Sequence, residues 1–345
     1  MGMAVSERVG AAHVGEPGEV VLSVRGLTTT FVGRGGAVPA VRGVDFQIRA
    51  GETFVLLGES GSGKSVTARS ILGLHGPRAK VTGQVRLGDR DLLTVEPKQL
   101  REIRGRELAL VPQDPNGSLD PLRRVGHQLV EVLRVHGAVP DRAAARARAL
   151  ELLGLVGIPD PPRVARAYPH ELSGGMRQRV VIAIAVSCGP RVLIADEPTT
   201  ALDVTVQAQI LRLFADLQRQ LRTALLLVTH DVGVTRDIAD SVGVMYAGRL
   251  VEHGPAAEVL GRPRHPYTEA LLAALPTPAT PRGELKAIAG SPPLAGTDFG
   301  GCAFADRCAY AVEDCHTAPP PLVPVADGHL AACPVRNGVE EGVVS

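Results

Sequence analysis

The sequence predicts an α/β fold whose parallel sheet is covered by helices on both faces, and three observations predict it. Thr53–Leu57, Val192–Ala195 and Ala224–Val228 are short, largely apolar runs, as strands buried on both faces need to be. The first of them leads straight into a Gly/Ser-rich loop and then a helical pattern from Lys64 to about Leu74. From about 96 to 190 the pattern is mainly helical, including the Ala/Arg-rich stretch Asp141–Leu153.

Taken in order, residues 1–19 are polar and Gly-rich and read as a disordered lead without the apolar core of an export signal. Val20–Val24 and Val38–Ile48 are β-branched runs typical of strands, and Ala50-Gly51 turns the chain into Thr53. Val242–Tyr246 and Arg249–Glu252, joined by Ala247-Gly248, predict a hairpin. Beyond Gly254 proline becomes frequent and four cysteines appear, which places a boundary near 255 and a C-terminal segment over 256–345.

The 345 residues allow one large domain or two modest ones, and 45% hydrophobic with 21% charged residues is an ordinary globular balance. A net charge of +1 lacks the basic excess that would call for nucleic acid as the main partner. The apolar stretch Val180 to Cys188 is far short of the roughly 20 residues that span a bilayer. The expectation is a soluble, cytoplasmic chain that meets a membrane only through partners, with Cys188 as a buried core thiol.

Gly58-Glu59-Ser60-Gly61-Ser62-Gly63-Lys64-Ser65 fits a phosphate-cradling loop, with Val66 next in the helix. Glycines let the backbone wrap a phosphate, while its N–H groups and the helix N-terminus supply positive potential. Basic residues are otherwise mostly Arg, with Lys only at 64, 80, 98 and 286. A lysine at the loop's centre therefore points to a task for a compact ammonium: Lys64 would reach the β- and γ-phosphates, and the Ser65 hydroxyl would ligate Mg²⁺. Val192–Asp196 followed by Glu197 is an apolar strand ending in two acids. Asp196 would hold Mg²⁺ through its water shell, and Glu197 would act as general base on the attacking water. Leu172-Ser173-Gly174-Gly175-Met176-Arg177-Gln178 lies 20 residues before that strand and opens an apolar helix. A hydroxyl and glycine amides at a helix start form a second anion site. One chain cannot grip a γ-phosphate from both sides, so this second site must face a nucleotide held by another subunit.

The Ser173 segment resembles the signature motif of ABC ATPases. The remaining landmarks of that family follow in order: Gln113 after Leu108–Val111, Ala201-Leu202-Asp203, and His230 after Ala224–Val228. The resemblance covers about residues 20–255. It implies a RecA-like core with a helical subdomain at roughly 96–190, ATP as substrate, Gln113 touching Mg²⁺ and water, Asp203 in the D-loop, and His230 on the γ-phosphate. The stretch Asp114–Val125 would line the groove for a membrane subunit's coupling helix. Phe31 is a candidate to stack on adenine, with plain packing as the alternative.

Arg264-His265-Pro266-Tyr267-Thr268, followed by Glu269–Leu275 and Pro276, is similar to the segment that opens the C-terminal extension of peptide- and nickel-importer ATPases. Asp196 to Gln209 carries the same wording, and Met176 with Thr199-Thr200 resembles the D-type of the two unlike ATPases in such importers. The resemblance implies a second, F-type ATPase, two permease subunits, an extracytoplasmic peptide-binding protein, and a place at the cytoplasmic face of the membrane. An importer for nickel or another small solute is the alternative cargo class.

Cys302, Cys308, Cys315 and Cys333 are spaced C-x₅-C-x₆-C-x₁₇-C in a Pro-rich tail with few large apolar residues. Such a tail can hardly build its own core, so a cross-link is physically plausible. A reducing cytoplasm disfavours disulfides. That leaves a four-thiolate metal centre or four unpaired thiols. Structural zinc usually takes close C-x₂₋₄-C pairs, so a [4Fe–4S] cluster suits four single cysteines at least as well as Zn²⁺. The resemblance adds weight to iron–sulfur, since peptide-importer ATPases with such a tail look like cluster binders.

Overall fold

The computed structural model describes residues 16, 18–200, 202–274, 288–294 and 296–336. Most of the polar lead, Ala201 of the D-loop triplet, and Leu275 and Pro276 lie outside the described residues. The chain runs through β1 (Val20–Gly33), β2 (Gly36–Arg49), β3 (Thr53–Leu57), α1 (Lys64–Ile71), β4 (Ala79–Leu87) and β5 (Arg90–Asp91). There follow α2 (Pro97–Ile103), β6 (Leu108–Val111), α3 (Val125–Val135), α4 (Arg142–Leu155), α5 (Pro161–Arg166) and α6 (Gly174–Val186). Next come β7 (Val192–Asp196), α7 (Val204–Leu221), β8 (Ala224–Thr229), α8 (Val232–Ile238), β9 (Ser241–Tyr246) and β10 (Arg249–Pro255). The chain closes with α9 (Ala256–Gly261), α10 (Pro266–Ala273), β11 (Val323–Ala326) and β12 (His329–Ala331). Among the described residues no helix is long and apolar enough to cross a membrane.

The chain divides into two compact units. One comprises Met1–Leu22, Gln47–Thr53 and Arg86–Val228. Its sheet pairs β6 with β7 and β7 with β8, both in parallel, with Leu108 opposite Val192 and Val192 opposite Ala224. Every residue of β7 and β8 is buried, as their apolar runs Val192–Ala195 and Ala224–Val228 require. The regular elements of the 96–190 stretch are helices except for Leu108–Val111, where four apolar residues find a ladder partner in β7. Within that stretch α3 packs on α4, α5 and α6. Asp141 and Asp160 cap α4 and α5 by accepting from the Ala144 and Arg163 N–H groups. Leu129, Leu133, Leu152, Leu153 and Val164 fill the interior. Truncating Leu152 to Ala there costs about 2–5 kcal/mol. Cys188, just past α6, is half-buried rather than fully so, and burial raises its pKa.

The other unit comprises Ser23–Phe46, Phe54–Val85 and Thr229–Ser345. Here β3 runs parallel to β9, with Phe54 opposite Ser241 and Leu57 opposite Val244. β9 and β10 form the expected hairpin, and Ala247 and Gly248 take positive φ (47° and 84°) in its two-residue turn. The Cys-bearing tail adds strands to the same sheet: β12 pairs antiparallel with β10, and β11 with β12. The change of texture near 255 is therefore followed by residues that pack within the same unit as the glycine loop.

The tail is anchored through a buried carboxylate. Glu252, with no exposed surface, accepts from the Arg264 and His265 N–H groups at 2.6 and 3.0 Å, and lies 2.7 Å from His329 Nε2. Three partners satisfy a charge that would be prohibitive alone. Tyr246, Tyr267 and Phe304 pack ring to ring, with centroids 4.6–5.4 Å apart, as the tail's aromatic anchor.

Candidate active site

Five buried residues of β3 deliver the chain to Gly58 at the start of the loop. A Cβ on Gly58 would stand 2.3 Å from the Met245 carbonyl oxygen, and one on Gly63, at φ 103°, would stand 2.5 Å from that of Ala40. Side chains at either place would force the loop open. Gly63 is also the N-cap of α1, so Lys64, Ser65 and Val66 form the first turn, whose N–H groups have no intrahelical acceptors. Ser60 and Gly61 lie between these glycines. Lys64 Nζ donates to the carbonyls of Gly58 and Glu59 at 2.8 and 2.9 Å, which places the ammonium across the mouth of the loop. Phe31 meets His75 edge-on at 5.4 Å, and His75 Nε2 lies 3.2 Å from the Val66 carbonyl oxygen. Phe31 thus has a packing partner at α1. His230 is exposed, one residue past β8 and directly before Asp231, which caps α8.

Sequence reasoning missed what holds this loop. The Glu59 carboxylate takes a two-pronged contact from Arg307, Nη1 at 2.8 Å and Nη2 at 3.2 Å. Its backbone N–H donates to Tyr267 Oη at 2.8 Å. The Glu59 bonds raise the Arg307 pKa, and burial pushes the Tyr267 phenol up. The only available signal was that Glu59 puts an anion inside an anion-binding loop.

In the other unit, β7 ends on Asp196, 1% exposed, and Glu197 follows at φ 47°. That left-handed backbone is held by the Glu197 N–H donating to the Val228 carbonyl at 2.9 Å. Gln113 Nε2 donates to Glu197 Oε2 at 3.3 Å, and Thr200 Oγ1 donates to the same oxygen at 3.1 Å. The structure therefore joins both Gln113 and Thr200 to Glu197. Ser173 caps α6 by accepting from the Met176 N–H at 3.3 Å, leaving Gly174 and Gly175 as the first residues of the helix. Asp203 caps α7 through the Val206 N–H at 2.9 Å.

Cys302, Cys308, Cys315 and Cys333 do come together, lining one cavity with Phe304 and Tyr310. Yet among the described residues no group of three or more His, Cys, Asp or Glu is disposed to hold a metal ion, so the expected centre is not present ready-made. Burial raises the pKa of Cys302 and Cys308, and negative charge on the neighbouring cysteines would raise it further.

Comparison with known proteins places these parts in a family. Residues 41–200 match the ABC transporter model, and residues 251–315 match the model for the oligopeptide/dipeptide transporter C-terminal region. The chain is 47% identical over 328 residues to the dipeptide transport ATP-binding protein DppD of Bacillus subtilis, covering 94% of this chain and 98% of that one. It is 44% identical over 331 residues to the oligopeptide transport ATP-binding protein OppD of Salmonella typhimurium, covering 96% and 98%. Among solved structures, a dimeric ATP-binding cassette in a post-hydrolysis state, bound to ADP and phosphate, matches with a TM-score of 0.61 at 28% identity. That match covers 68% of this chain and 98% of that one. From its glycine loop through its C-terminal region, the chain belongs to the family of ATP-hydrolysing ATP-binding proteins of dipeptide and oligopeptide ABC transporters.

Proposed function

We propose that this chain hydrolyses ATP to drive uptake of di- and oligopeptides, as the D-type member of a pair of unlike ATPases. The observation that carries the mechanism is Glu197 at the end of β7, oriented by Gln113 and Thr200 on one carboxylate oxygen. In this reading the amides of Gly61 to Ser65 cradle the phosphates and Lys64 neutralises the β- and γ-oxygens. Ser65, Asp196 and Gln113 offer the hard oxygen donors that suit Mg²⁺, which would screen the phosphate charge. Glu197 takes the proton of the attacking water, and His230 contacts the γ-phosphate. Ser173, Gly174, Gly175 and Asp203 face a nucleotide on the second, F-type ATPase. The dimeric state of the solved cassette supports that composite arrangement.

The peptide assignment rests on the relatives' names and the C-terminal match. It brings two permeases, an extracytoplasmic binding protein, and work at the cytoplasmic face of the membrane. For the tail we propose a [4Fe–4S] cluster. Four cysteines around a single cavity supply its donor set, with Zn²⁺ as the alternative occupant. A bound cluster would supply a structural cross-link. The function is tested by reconstituting the five-component assembly in vesicles: ATP-dependent dipeptide uptake is expected, and uptake of nickel alone would overturn the peptide reading.

A further inference from the structure

We propose that Arg307 and Tyr267 are positioning residues for the phosphate loop, so that the Cys-bearing C-terminal segment sets the affinity for ATP. The proposal rests on the reading of Gly58 to Ser65 as that loop. Glu59 is its second residue, and all three of its polar groups are committed. The carboxylate goes to Arg307, the N–H goes to Tyr267 Oη, and the carbonyl accepts from Lys64. A chain of contacts thus runs from the tail to the lysine that meets the phosphates.

Arg307 is built for this place. Its side chain is only 5% exposed. It lies in the turn Ala305–Arg307, bracketed by Cys302 and Cys308. Nε donates to the Ala289 carbonyl at 2.8 Å, and Nη1 also donates to Tyr246 Oη at 3.2 Å. The guanidinium lies 5.8 Å from the ring centroids of both Tyr246 and Phe304. Such a fork, fixed on every side, orients a carboxylate far better than a lysine could.

The electrostatic need is direct. A carboxylate in a loop that receives a polyanion repels it, and the field is poorly screened where water is scarce. Arg307 neutralises Glu59 and ties its carboxylate down. With the arginine gone, the Glu59 carboxylate would face the incoming phosphates without its partner, with one fewer hold on Lys64's acceptor.

The test uses the full chain and a fluorescent ATP analogue, with thermal melts to verify folding. Arg307→Met keeps the stem against the two rings and should weaken nucleotide binding about ten-fold or more, chiefly through the unpaired carboxylate. Adding Glu59→Gln to that variant should recover most of the loss, which a merely structural role for Arg307 would not allow. Arg307→Lys should fall between, and if Arg307→Met does not fold, the same rescue is read on Arg307→Lys. Tyr267→Phe removes only the acceptor for the Glu59 N–H and should weaken binding by a smaller factor. Unchanged affinity in the arginine variant, or no recovery on adding Glu59→Gln, would overturn the proposal. Lys64→Ala separates the two levels. If it also binds normally, the loop reading itself has failed; if it binds weakly while Arg307→Met does not, only the positioning role falls.

Discussion

Gln113 and Glu197, 84 positions apart, are joined by a hydrogen bond from the Gln113 amide to Glu197 Oε2 at 3.3 Å. That bond and the one from Thr200 Oγ1 converge on the same carboxylate oxygen and fix the orientation of the group. Positive φ at Glu197 carries strain of order 1–3 kcal/mol, which the N–H bond to Val228 maintains. A strained, doubly oriented carboxylate is the arrangement expected of a general base.

Glu197→Gln removes the carboxylate proposed as the base while keeping size and backbone. In the assembled transporter it should lower turnover by on the order of 10²–10⁴-fold at the site it serves, with ATP still bound. Single-turnover hydrolysis with radiolabelled ATP measures this. Normal turnover at both composite sites would remove Glu197 from the role.

On the proposed composite site, in which the Ser173 helix start faces a nucleotide on another chain, the isolated chain should hydrolyse ATP poorly. Activity should depend on added F-type partner and scale with its concentration until it saturates. Robust activity from a strictly monomeric sample, unaffected by dilution, would contradict the composite site.

Local chemistry made much of this legible. The turn at Ala247-Gly248, the buried strands β7 and β8, and the capped start of α4 each follow from neighbours in sequence. So do the glycine loop and the acids at the end of β7. What stayed hidden depends on distant partners. Val323–Ala326 contains a proline and only weak alternation, and it becomes a strand because β12 offers an edge. Thr200 is one of several hydroxyls near Glu197 until geometry selects it. The Arg307–Glu59 pair spans 248 positions, and no spacing rule reaches that far.

His265 makes the tail's attachment sensitive to acid. Its Nδ1 accepts from the Tyr267 N–H at 3.0 Å, a cap that only the neutral ring can provide. Burial lowers its pKa from 6.5 to about 4, against the opposing pull of Glu252. The unfolded chain therefore binds more protons between those values. The stabilisation is complete above about pH 6.5 and is lost as pH falls towards 4, by roughly 3 kcal/mol. Thermal melts should show this slope, and His265→Asn, which can still cap, should flatten it. An equal slope in the variant would assign the effect to another group.

The four tail cysteines give the sharpest division between outcomes. They share one cavity, yet among the described residues they form no ready-made metal-binding group. Cys302 and Cys308 resist ionisation because burial disfavours the thiolate. A bound cluster would reverse that balance, since its irons would stabilise the thiolates. Chain purified without oxygen should then be brown and carry about four iron and four sulfide per chain. Cys315→Ser, which replaces one of the two buried thiols of the set, should lose iron and colour and lower the melting temperature. Stoichiometric zinc without sulfide would mean that the side chains rearrange around a single ion. Metal-free chain with four alkylatable thiols would leave the tail held by Glu252, the aromatic anchor and Arg307 alone.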